Sequence, residues 1–129
     1  MLPVHRKDRS RVTDPSKRRA PKQEAEIAAR LGARTVRGSG SGLEKGDVRR
    51  EGFLRVEAKC TRRKSFSLTR DMINKIVDAA CARGDVEIPM MHIEFLSPDG
   101  KKEMGVYVLT EDDAESLLAG SQCEHCSKN

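Results

Sequence analysis

The sequence predicts an α/β sandwich around one mixed sheet, with elements in the order α-β-β-β-α-β-β-α. Three observations predict it. Apolar residues recur at helical spacing in residues 70–83 and, more briefly, in 22–31. Two pairs of strand-like runs each close on a glycine-containing turn, at Glu51-Gly52 and at Ser97-Pro98-Asp99-Gly100. No segment repeats, and no apolar run is long enough to span a membrane.

Residues 1–20 combine two prolines with many charges and no apolar period, which predicts a flexible basic arm. Order is expected to begin near Pro21, a suitable first-turn residue. KQEAEIAARL (22–31) reads as a short helix stopped by Gly32. Residues 34–37 form a short strand, followed by the loop Gly38-Ser39-Gly40-Ser41-Gly42. Residues 45–49 and 53–59 form a hairpin. Thr69 caps a helix over 70–83 whose stripe of Met72, Ile73, Ile76, Val77 and Ala80 is core. Residues 89–96 and 103–109 form the second hairpin, and a last helix runs from Thr110 to about Leu118. The expected organisation is an arm (1–20), one domain (21–119) and a flexible tail (120–129).

Charge is segregated along the 129 residues. Residues 1–22 balance at +6, residues 23–102 at +4 and residues 103–129 at −5. A basic arm and body with an acidic tail suit a polyanionic partner, although a solvated basic surface would read the same way. The N-terminus lacks the apolar centre of a secretory signal, so the expected location is cytoplasmic, with Cys60, Cys81, Cys123 and Cys126 reduced.

The chemically informative stretch is Asp47 followed by Glu57-Ala58-Lys59. Alternation along a strand puts Glu57 and Lys59 on one face, with Val56 and Ala58 toward the core. A three-residue turn at Arg50-Glu51-Gly52 would bring Asp47 to the same face. Two carboxylates of this kind suit Mg²⁺, and a neighbouring lysine suits activation of water and stabilisation of a phosphorane-like transition state. The plain alternative is a surface cross-strand ion pair, which is common and worth little. The context is richer than such a pair requires. The glycine–serine loop offers amides for a phosphate beside Arg37 and Lys45, Arg62-Arg63-Lys64 follows the motif, and Glu24 and Glu26 lie on the preceding helix.

The series Lys22-Gln23-Glu24, residues 31–40, Lys45-Gly46-Asp47-Val48, Val56-Glu57-Ala58-Lys59 and Thr61 resembles Holliday junction resolvases of the archaeal and phage kind. The likeness continues through Ser65-Phe66-Ser67-Leu68, Ile73-Asn74-Lys75-Ile76, Pro89 and Ile93-Glu94-Phe95, and so covers about residues 21–96. The resemblance implies a PD-(D/E)XK nuclease with a restriction-endonuclease-like domain whose central five-stranded mixed sheet is flanked by helices. It implies a homodimer that uses Mg²⁺ or Mn²⁺ to cut four-way DNA junctions symmetrically. By position, Asp47 and Glu57 match the metal ligands, the Ala58 carbonyl a backbone ligand, and Lys59 the catalytic lysine. Glu24 matches a helix glutamate acting through water, with Glu26 as the alternative. Arg37 and Ser39 match residues near the scissile phosphate. The remaining expected DNA contacts are Ser41, Lys45, Arg62, Arg63, Lys64 and, from the arm, Arg18 and Arg19.

Other signals are weaker. Cys123-Glu124-His125-Cys126 is a single CxxC, short of the four ligands of structural zinc. His92 is expected on the strand surface, Tyr107 in packing, and Cys60 and Cys81 as small core residues. A dimer contact is expected either at Met90, Met91, Ile93 and Val106 or on the exposed face of the 72–80 helix. Two other functions compete: a PD-(D/E)XK nuclease acting on another DNA form, and a non-catalytic DNA-binding module. The latter gives no reason for Asp47, Glu57 and Lys59 to converge. Only Phe53, Phe66, Phe95 and Tyr107 are available as stacking aromatics.

Overall fold

A computed structural model describes residues 15–36, 47–82 and 87–128, with side chains for 17–36, 47–82 and 87–120. Its elements are α1 (Pro15–Leu31), β1 (Arg34–Thr35), β2 (Val48–Arg50), β3 (Leu54–Thr61), α2 (Arg70–Cys81), β4 (Ile88–Leu96), β5 (Lys102–Val108) and α3 (Glu111–Lys128). The order is the one the sequence predicts. The five strands make one mixed sheet in the order β1-β2-β3-β4-β5. Only β3 and β4 pair in parallel, and α2 is the crossover between them.

The helices cover opposite faces. Ile27 and Ala28 of α1 pack with Val48, Val56 and Met90, while Ile76 and Ala79 of α2 pack with Met91. Burying each large apolar side chain is worth about 1.5–3 kcal/mol, so these two clusters outweigh any exposed ion pair. Because both faces of β4 are covered, alternation along it no longer separates core from surface. His92 is therefore buried, at 1% exposure, and not on the strand surface as expected. Met90, Met91 and Ile93 are buried within the single chain as well, which removes them as a dimer contact. Cys81, expected in the core, is exposed, and Cys60 is half-buried.

Local chemistry sets the boundaries. Gly32 takes φ 62° and Ala33 N–H donates to the Ala28 carbonyl at 2.8 Å, which closes α1 with a Schellman bond. Thr69 Oγ1 accepts from Met72 N–H and starts α2. Thr110 Oγ1 does the same for Asp113 N–H at α3, whose helical backbone continues well past the expected end near Leu118. In the first hairpin, Arg50 pairs with Leu54 and Gly52 has φ 78°, so the turn is Glu51-Gly52-Phe53, one residue later than expected. Gly100, at φ 89°, turns the second hairpin.

The largest departure concerns the N-terminal boundary. Helix α1 starts at Pro15, inside the expected arm, and carries Pro21 in its interior. Its sheet-facing stripe is Arg19, Gln23, Ile27 and Leu31, spaced by four. Ile27 and Leu31 are apolar, but Arg19 and Gln23 dock through polar contacts. Arg19 Nε donates to Glu94 Oε1 at 2.8 Å, and its guanidinium also reaches Glu26. Glu94 is fully buried on β4. These bonds offset the missing Pro21 amide, and no apolar period in the sequence announces them. The expected tail likewise gives way to helix, because α3 runs to Lys128.

Candidate metal and nucleic-acid site

Two strands and one helix assemble the site. In the β2–β3 register Val48 faces Val56, and continuing it places Asp47 opposite Glu57. The Asp47 N–H donates to the Val56 carbonyl at 2.9 Å, and Asp47 Oδ2 accepts from the Ala58 N–H at 2.8 Å. Asp47 is thus pinned to β3 at both ends. Glu57 and Lys59 lie two residues apart on β3, with Lys59 Nζ 3.6 Å from Glu57 Oε2. The β2 pairing stops at Val48, so β3 continues past the end of β2, leaving Glu57 and Lys59 half-exposed.

Helix α1 supplies a third carboxylate. Burial pushes the Glu24 carboxyl above its ordinary range, and the charges of Asp47 and Glu57 push it further. Burial also raises Glu57, as does Asp47, while the Lys59 ammonium opposes both. Glu24, Asp47 and Glu57 therefore form one mutually repelling cluster with Lys59 as its near cation. Glu26, the alternative helix carboxylate, is instead exposed and bonded to Arg19, which holds it below the ordinary range. The arrangement favours Glu24 for the helix role.

These groups are hard oxygen donors in a half-buried, net-negative setting, which fits Mg²⁺ or Mn²⁺ far better than a soft metal. Among the described residues, no three His, Cys, Asp or Glu side chains are close enough as they stand to hold a metal ion. Asp47 Oδ2 faces the Ala58 amide and Glu57 Oε2 faces Lys59.

Of the expected DNA contacts, Arg62, Arg63 and Lys64 are exposed directly after β3. Arg18 is exposed on α1, whereas Arg19 is committed to Glu94 and Glu26. Arg37, Ser39, Ser41 and Lys45 lie outside the described residues, and the CxxC falls on α3 where the backbone alone is described.

Sequence reasoning missed two features beside the site. Glu87, with its side chain fully buried, accepts from Arg49 Nε and Arg55 Nε at 2.9 Å each and from the Gly52 amide at 3.1 Å. It clamps the hairpin that carries Asp47 and Glu57. Gln23 is buried against β3 and β4, where its amide Nε2 lies 2.9 Å from the Lys59 carbonyl and 3.0 Å from His92 Nδ1. Neither residue belongs to an apolar pattern, and no local signal marks them. No helix is long and apolar enough to cross a membrane among the described residues. Comparison of the chain with models of protein families, with curated proteins and with solved structures finds no match.

Proposed function

We propose that this chain is a metal-dependent DNA endonuclease of the PD-(D/E)XK class, with a restriction-endonuclease-like fold, and that its substrate is the four-way DNA junction. The observation that carries the reading is the convergence of Asp47, Glu57 and Lys59 with Glu24 from a separate helix. A surface ion pair needs two of these residues, whereas phosphodiester hydrolysis uses all four.

Asp47 and Glu57 would hold Mg²⁺ or Mn²⁺, with the Ala58 carbonyl beside them and Glu24 acting through water. The bound metal supplies charge stabilisation at phosphorus and acidifies a water. Lys59 orients the attacking water and offsets negative charge on the transition state. Arg62, Arg63 and Lys64 carry phosphate contacts, which supply affinity with little base reading. The junction as substrate rests on the sequence resemblance, and symmetric cutting requires a two-fold dimer.

The test is cleavage of a fixed four-way junction beside linear duplex and single strand, with and without Mg²⁺. We expect Mg²⁺-dependent paired nicks on the junction. Asp47→Ala and Glu57→Ala should abolish cleavage and leave gel-shift affinity intact, because phosphate contacts and not the carboxylates supply binding. Full activity in either variant would sink the site. Equal nicking of duplex and junction by a monomer would remove the resolvase reading and keep the nuclease.

A further inference from the structure

We propose that Gln23 is a positioning residue for this site: its side-chain amide ties α1 to the Lys59 carbonyl and thereby sets where Glu24 stands against Asp47 and Glu57. The inference rests on the nuclease reading for its catalytic consequence, but its geometry does not.

Gln23 Nε2 has three polar atoms around it: the Lys59 carbonyl at 2.9 Å, His92 Nδ1 at 3.0 Å and the His92 carbonyl at 3.4 Å. Two of the three are backbone oxygens, so the amide must turn its nitrogen and not its oxygen toward them. Burial lowers the His92 pKa and so disfavours the charged ring. The Gln23 oxygen has no hydrogen-bond partner among the described residues, although the side chain is fully buried. An orphaned buried oxygen is costly, and an apolar side chain would fill the same space without it. The donor end is therefore what the position requires.

The tie is also well placed. Strand β3 is held by β2 on one side and by the full length of β4 on the other, so it is the fixed partner. The other partner is α1, held to the sheet by Arg19 on Glu94 one turn before Gln23 and by Ile27 one turn after it. Glu24 is the next residue after Gln23, and the Lys59 carbonyl belongs to the lysine of the site. One hydrogen bond thus links the two chemical groups that come from different elements, and loosening it moves Glu24 and not β3.

The experiment compares purified full-length wild type with Gln23→Met, which keeps the bulk and removes the donor. Gln23→Asn, whose shorter amide falls short of the Lys59 carbonyl, is the second variant should Gln23→Met fail to fold. Calorimetric Mn²⁺ titration reads the site without DNA, and junction cleavage reads kcat and KM. We expect Mn²⁺ affinity and kcat to fall by about ten- to a hundredfold, the range for outer-shell partners of metal ligands, with KM unchanged. In a Glu24→Gln background the Gln23 substitution should cause no further loss, because it acts through Glu24. Ile27→Ala, on the same stripe of α1, should lower the melting temperature and leave Mn²⁺ affinity unchanged. Unchanged Mn²⁺ binding in the Gln23 variants, an equal loss in Ile27→Ala, or an additive loss on Glu24→Gln would each overturn the proposal. A wild type that binds Mn²⁺ and cuts no DNA would remove the nuclease reading alone, and the titration would still decide the role of Gln23.

Discussion

Glu87→Gln is the substitution whose cost can be worked most directly from the structure. Arg49 and Arg55 face each other across β2 and β3, and both donate through Nε to this one carboxylate at 2.9 Å. The two arginine side chains are 3% and 4% exposed and the glutamate side chain 0%. Glutamine preserves the volume and removes the charge, so two buried guanidiniums lose the anion they share. Removing one partner of a buried ion pair costs about 3–5 kcal/mol, most of it the penalty of the charge left behind. For a domain of this size each kcal/mol moves the midpoint by about 3–5 °C, so a fall on the order of 10 °C or more is expected.

The same cluster fixes a pH signature. Burial by itself raises the Glu87 carboxyl, but the bonds from Arg55, Arg49 and the Gly52 amide outweigh it and hold the group below its ordinary range. A depressed folded pKa contributes stability that is fully present above the unfolded value, about 4.3, and is lost as pH falls through the folded value. Urea titrations of both proteins should therefore give a gap that is flat from pH 7 to about 5 and narrows below about 4. A gap under about 1 kcal/mol at pH 7, or one that widens in acid, would refute the reasoning, since the former is the worth of an exposed pair.

Two further outcomes follow from other parts of the molecule. Lys59→Ala should lower kcat by roughly 10²–10³, the loss typical of one transition-state donor, with Mn²⁺ affinity retained in calorimetry; metal loss as large as that of Asp47→Ala would reassign the residue. Gly105→Ala should cost about 1–3 kcal/mol by overpacking, because a Cβ there would stand 2.9 Å from Nε2 of the buried His92 ring, itself packed edge-on against Tyr107. Thermal unfolding checks it, and an unchanged midpoint would show that the ring moves aside freely.

What was legible in the sequence was what local rules govern. The turn at Gly52, the Thr69 cap and the Gly32 stop each depend on one residue's backbone or side chain, and the element order followed from them. That Asp47 shares a face with Glu57 and Lys59 was legible because alternation and a short turn leave few registers, but the expected turn would have set it opposite Arg55 and the observed one sets it opposite Glu57. What stayed hidden was polar docking between distant segments. Arg19 and Glu94 are 75 residues apart, and nothing near either one signals the other. For the same reason the start of α1 was placed six residues late. His92 was misplaced because alternation assumes one wet face, and α1 covers the face in question. Glu87 sits just before β4, outside any periodic run, and its role exists only once β2, β3 and the Gly52 turn are assembled.

These hidden contacts share one consequence for the site. On β2 and β3, Arg49 and Arg55 occupy the alternation positions next to Asp47 and Glu57. Left to themselves, two guanidiniums so close would be natural partners for those carboxylates, and an arginine-bound carboxylate is a poor ligand for anything else. Glu87 draws both charges to the hairpin side, and Glu94 together with Glu26 does the same for Arg19 on α1. Lys59 reaches the cluster through a long contact of 3.6 Å to Glu57 on a half-exposed side chain. Such a contact is weak enough to yield. With Arg49 and Arg55 bonded to Glu87 and Arg19 to Glu94 and Glu26, the mutual repulsion of Glu24, Asp47 and Glu57 is what a hard dication would answer.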